Sequence, residues 1–140
     1  MQIYGNEVHM SQPGQGILIG GAPLAYYDPS TNIQAYNSIA YNNTVINETG
    51  DSNVGLFGMW GAKDCTFENN RGVGGQIFLA PANAGGNPPG LNINPTFRNN
   101  ILQGNGGAAT SPVNGWDGYW TGTCTLEGNT FSNYTSGIPT

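Results

Sequence analysis

Apolar and polar positions alternate in short runs along this chain, and the runs close on a recurring four-residue phrase. The clearest copy is Phe67-Glu68-Asn69-Asn70. Imperfect copies stand at Ile3-Tyr4-Gly5-Asn6, Ala40-Tyr41-Asn42-Asn43, Phe97-Arg98-Asn99-Asn100 and Leu126-Glu127-Gly128-Asn129. Each reads apolar, variable, Asn or Gly, then Asn. Successive side chains of a strand alternate between its two faces. Cys65 and Phe67, like Cys124 and Leu126, therefore share one face, while Thr66 with Glu68 and Thr125 with Glu127 take the other. The phrase predicts a short strand that stops at a corner. Its closing Asn suits the bend, because Asn tolerates left-handed backbone and bonds to neighbouring backbone. Stacked copies would join these amides in a ladder.

The closing residues Asn6, Asn43, Asn70, Asn100 and Asn129 follow one another at intervals of 37, 27, 30 and 29 residues. A period in this range marks a repeat architecture in which each unit buries its apolar face against the next. A second signal, Gly before an apolar residue, recurs at Gly16-Ile17, Gly55-Leu56, Gly118-Tyr119 and Gly137-Ile138, so each repeat supplies more than one strand. Val54 to Trp60, Ala62 to Asn70 and Gln76 to Leu79 read as strands. Loops are expected at 20–34, which accounts for the long first interval, and at 81–90 and 104–115. The expected fold is all-β, one domain over 1–140.

Composition narrows the partners. Charged residues make up 8% of the chain, and its net charge is −5. Lys63, Arg71 and Arg98 cannot build the basic stripe that nucleic acid requires. No apolar run approaches the roughly 20 residues that span a bilayer. The sequence calls for no cofactor and no metal site. Cys65 and Cys124 fall at equivalent positions two repeats apart, roughly 10 Å at strand spacing. That is beyond the reach of about 7 Å that a disulfide tolerates, so two free, buried thiols are expected. Asn42-Asn43-Thr44, Asn47-Glu48-Thr49 and Asn133-Tyr134-Thr135 match the N-glycosylation triplet, a pattern that an Asn- and Thr-rich chain also produces by chance.

Short strands, Asn corners and variable loops at this period resemble the right-handed parallel β-helix of pectate lyases and phage tailspikes. The resemblance covers nearly the whole chain and implies about five coils, an extracellular, cell-surface or virion location, and polysaccharide as partner. It specifies architecture better than activity. The copies begin and end part-way through a coil, which leaves three expectations: a segment of a longer β-helix, an oligomer that buries the coil ends, or end-to-end stacking. Running tail into head leaves 17 residues from Asn129 to the next Asn6 against a period near thirty, which ranks a filament below the other two.

The alternation also names an outward column: Tyr4, Tyr41, Glu68, Arg98 and Glu127. As a saccharide groove, its tyrosine rings would offer apolar faces, and Arg98 with the carboxylates would bind hydroxyls or acid groups. Glu68 and Glu127, two repeats apart, could reach the separation of about 6.5–9.5 Å used by inverting glycosidases. The competing reading is a Glu-Arg-Glu ladder, each exposed pair worth about 0–1 kcal/mol. Asp64, the third candidate catalytic carboxylate, shares the outward face, but roughly 13 Å of strand separates it from Glu68, too far to hold one calcium ion. The acidic cluster of pectate lyases and the histidine motif of polygalacturonases are absent. Trp116 beside Asp117 is the candidate exposed sugar platform. Trp60 and Trp120 are expected in the core, and His9 in a turn or on the surface.

Overall fold

The computed structural model describes residues 1–21, 33–80, 91–106, 111–114 and 119–136. The described residues form an all-β structure of four parallel sheets, without helix, consistent with a parallel β-solenoid. Residues 39–63 show the repeating path. Strand β5 (Ile39–Tyr41) lies in sheet A, β6 (Thr44–Asn47) in sheet B, β7 (Gly55–Trp60) in sheet C and β8 (Ala62–Lys63) in sheet D. Sheet A also contains β1 (Gln2–Tyr4), β9 (Thr66–Glu68), β13 (Thr96–Arg98) and β17 (Thr125–Glu127), in the order β1-β5-β9-β13-β17. Sheet B runs β18-β14-β10-β6-β2, where β2 is Glu7–Met10, β10 Arg71–Val73, β14 Ile101–Gln103 and β18 Thr130–Ser132. Sheet C adds β3 (Gln15–Gly20), β11 (Gln76–Ala80) and β15 (Val113–Asn114); sheet D adds β4 (Ala35–Tyr36), β12 (Asn92–Ile93) and β16 (Trp120–Thr121).

Alternation within these strands fills the interior. Ala40, Phe67 and Phe97 are in register in sheet A, and Val45, Gly72 and Leu102 in sheet B. The Phe67 and Phe97 rings stack at 5.8 Å with a 7° interplanar angle. With Leu56, Phe57, Met59, Ile77 and Leu79 of sheet C they form one buried apolar core. Gly72 occupies an inward position because a Cβ there would meet Leu56 Cδ1 at 2.8 Å and Phe57 Cε2 at 3.1 Å.

The corner between sheets A and B turns at the third position of the phrase, not the fourth. Asn42, Asn69 and Asn99 have φ of 55°, 54° and 55°, and Gly5 and Gly128 have 66° and 64°. Gly and, at some cost, Asn or Asp enter this left-handed region, which accounts for Asn or Gly at the third position. The fourth residue, expected to make the bend, instead points inward. A second corner at Asp64 (φ 53°) splits the stretch 62–70, expected as one strand, into β8 and β9. The expected loop at 81–90 and most of that at 20–34 lie outside the described residues, while the described part of 104–115 contains strand β15 where only loop was expected.

Candidate functional site

Asn43, Asn70 and Asn100 are buried, and hydrogen bonds join the closing asparagines into one directed column. In each step the earlier Asn donates its backbone N–H and Nδ2 to Oδ1 of the next. Asn43 reaches Asn70 Oδ1 at 3.0 Å from both atoms, and Asn70 reaches Asn100 Oδ1 likewise. Asn6 and Asn43 at one end, and Asn100 and Asn129 at the other, repeat the geometry at 2.9–3.1 Å. The second Nδ2 hydrogen goes to a carbonyl of the preceding repeat: Asn43 to Ile3, Asn70 to Ala40, Asn100 to Phe67 and Asn129 to Phe97. Asn6 departs from this, its Nδ2 turning to the carbonyl of Tyr4 in its own repeat. The three inner amides, Asn43, Asn70 and Asn100, hold the corner with both amide hydrogens and the oxygen committed.

On the outward side, strand register aligns Tyr4, Tyr41, Glu68, Arg98 and Glu127 in one column. The Tyr4 and Tyr41 rings stack at 5.1 Å with 13° between planes. Each thus has one face covered by the other, while Tyr4 stays largely exposed. Arg98 grips Glu68 with both ends of its fork, Nε to Oε1 at 3.0 Å and Nη2 to Oε2 at 3.1 Å. A bidentate guanidinium favours the ionised carboxylate and its fixed geometry. Glu127 follows Arg98 in register and is exposed. The adjacent outward column carries threonine hydroxyls, with Thr66, Thr96 and Thr125 in register. Asp64 sits at its corner, where its carboxylate accepts a bond from Asn94 Nδ2 at 2.8 Å. Trp116 and Asp117 lie outside the described residues.

Three arrangements escape a reading of the sequence. His9 is in strand β2, not a turn, and both its ring nitrogens meet carboxylates: Nε2 with Glu7 Oε1 at 2.7 Å and Nδ1 with Glu48 Oε1 at 2.6 Å. The bonds with Glu7 and then Glu48 raise its pKa above the ordinary 6.5. Glu48 is 39 residues away, and only the pairing of β2 with β6 brings it near. Asn92, fully buried, accepts from the Ala62 amide and donates to the carbonyls of Ala80 and Tyr119. It has no Asn equivalents among its neighbours, so no repeat announces it. Asn47, within one of the glycosylation triplets, donates to Asp51 and Gly74 carbonyls and accepts from Thr49, so its amide is already committed to the turn.

Neither thiol suits nucleophilic attack. Cys65 is buried and Cys124 half-buried, both free. Burial pushes the Cys65 thiol up and the Cys124 thiol up to about 11, which keeps both protonated at neutral pH. Among the described residues, no group of three or more His, Cys, Asp or Glu side chains could hold a metal ion. No helix among them is long and apolar enough to cross a membrane. No family model, curated protein or solved structure matches this chain.

Proposed function

We propose that this chain is a right-handed parallel β-helix of about five coils, extracellular or virion-associated, which binds polysaccharide across the outward face of sheet A and does not cleave it. The observation that carries this reading is the in-register array of hydroxyls on that face. Thr66, Thr96 and Thr125 in one column stand beside Glu68, Arg98 and Glu127 in the next, and Tyr41 and Tyr4, beside Ile39 and Gln2, continue that second column. Aromatic edges with fixed hydroxyls give a sugar both apolar contact and hydrogen bonds. Cleavage is left out because Arg98 engages both oxygens of Glu68, which takes that carboxylate away from the acid or base role an inverting pair would give it.

Retention on a panel of immobilised glycans tests this. One glycan class should bind, and Tyr41→Ala should weaken binding at least about tenfold, on the order of 1.4 kcal/mol. Glu68→Gln should leave retention nearly unchanged, and no new reducing ends or unsaturated products should form. Retention indifferent to Tyr41→Ala, or sugar release that Glu68→Gln abolishes, would sink the reading.

A further inference from the structure

The asparagine ladder has a direction, and its two ends are chemically complementary. At the β1 end, Asn6 Oδ1 accepts no bond among the described residues, although the equivalent oxygens of Asn43, Asn70, Asn100 and Asn129 each accept two. At the β17 end, the backbone N–H of Asn129 and one of its amide hydrogens meet no acceptor among the described residues, where every earlier Asn of the ladder donates both onward. One end therefore presents an acceptor, the other two donors.

We propose that the β17–β18 edge of one copy of this chain receives the β1–β2 edge of a second copy, head to tail, with the ladder running through the junction. Asn129 N–H and Nδ2 then donate to Asn6 Oδ1 of the second copy. The Asn6 amide, which bonds the Tyr4 carbonyl of its own repeat, turns to the Leu126 carbonyl, the counterpart of the Phe97 carbonyl one strand on. The backbone edges are parallel strands whose next partner is a parallel strand, and exposed edges of this kind template pairing. Inward residues at both edges are only partly covered: Ile3 and Val8 on one, Leu126 and Phe131 on the other. Their counterparts Ala40, Val45, Phe97 and Leu102 are 0% exposed. Continued register sets Gln2 against Thr125, Ile3 against Leu126, Tyr4 against Glu127, Glu7 against Thr130 and His9 against Ser132, so no like charges meet. The short residue count between Asn129 and Asn6 leaves sheets C and D, among the described residues, one strand short of sheets A and B at this junction, so the contact is carried by A and B. Sheets A and B, which carry the ladder corner, pair strand on strand across a non-covalent contact.

The test is sedimentation velocity on the 140-residue chain over a dilution series, with two variants that each place a charge on one edge, Ile3→Lys and Leu126→Lys. The wild-type chain should grow in mass with concentration. Each variant alone should stay monomeric at concentrations at least ten times higher, because every junction would contain one blocked edge. An equimolar mixture should give one-to-one pairs and nothing longer, since each pair uses the open edge of each partner. A wild-type chain that stays monomeric throughout, or a variant that still associates alone as wild type does, overturns the proposal. If a variant fails to fold, hydrogen exchange in the unmodified chain decides. The Asn129 amide should exchange more slowly as concentration rises, and an unchanged rate overturns the junction. Tyr41→Ala should leave assembly intact, which separates this result from the glycan-binding one.

Discussion

Asn70 and Glu68 stand two residues apart at the end of one repeat, yet they answer to different constraints. Asn70 is 2% exposed, and its amide donates to Asn100 and Ala40 while accepting twice from Asn43. Glu68 looks outward and meets one arginine. A buried amide must find every partner or pay desolvation, so the inward position admits one residue type in every copy. An exposed position exchanges its partners for water at little loss, and the outward column changes from Tyr to Glu to Arg accordingly.

Asn70→Ala should break this comparison most forcefully. It leaves the Asn43 N–H and one Asn43 amide hydrogen without their acceptor in the interior, and it takes one donor each from the Ala40 carbonyl and from Asn100 Oδ1, which keeps only the bond from the backbone N–H of residue 70. A loss of about 3–5 kcal/mol is expected in denaturant unfolding, in the range of a broken buried network. A loss below about 1 kcal/mol would mean that the ladder adds little to the fold. Glu68→Gln makes the opposite point on the other side of the strand. It removes a partly exposed ion pair and should shift stability by no more than about 1 kcal/mol, less in high salt. A larger effect would place Arg98 in a role that its exposed position does not explain.

The same division governs what could be read from the chain. The outward column was legible because strand alternation has period two, and one recurring phrase fixes its phase: Tyr4, Tyr41, Glu68, Arg98 and Glu127 fall into register. The corner was misplaced by one residue, because Asn suits both the left-handed turn and the buried ladder. Only the presence of Gly5 and Gly128 at the third position marks it as the left-handed one. Strand β10 left no apolar alternation to read, since Leu56 and Phe57 fill the space where Gly72 would carry a side chain. The stacking of Tyr4 on Tyr41 depends on ring orientation, which spacing does not fix. Contacts between dissimilar residues far apart in sequence, such as His9 with Glu48, had no repeat to announce them.

That His9 contact supplies the smallest expected effect. Its hydrogen bonds with Glu7 and Glu48 favour the imidazolium, so the folded pKa lies above the ordinary 6.5, and the unfolded chain releases the proton first. The stabilising contribution is therefore fully present below about pH 6.5, and it fades as pH rises through the folded-state value. The ring is exposed, so solvent screens the interaction and the change in melting temperature should be small. The sharper readout is NMR titration of the His9 ring: its midpoint should sit above 6.5 and fall toward it in both Glu7→Gln and Glu48→Gln. In His9→Gln the small decline in melting temperature between pH 6 and 8 should disappear, because its source is one proton bound more tightly by the folded chain. An unchanged midpoint in both glutamine variants would show that the two carboxylates do not hold the ring in solution. The loop after β6 would then owe its position to the Asn47 turn, to the backbone bond from Glu48 to Met10 and to the bond from Asn105 Nδ2 to the Gly50 carbonyl.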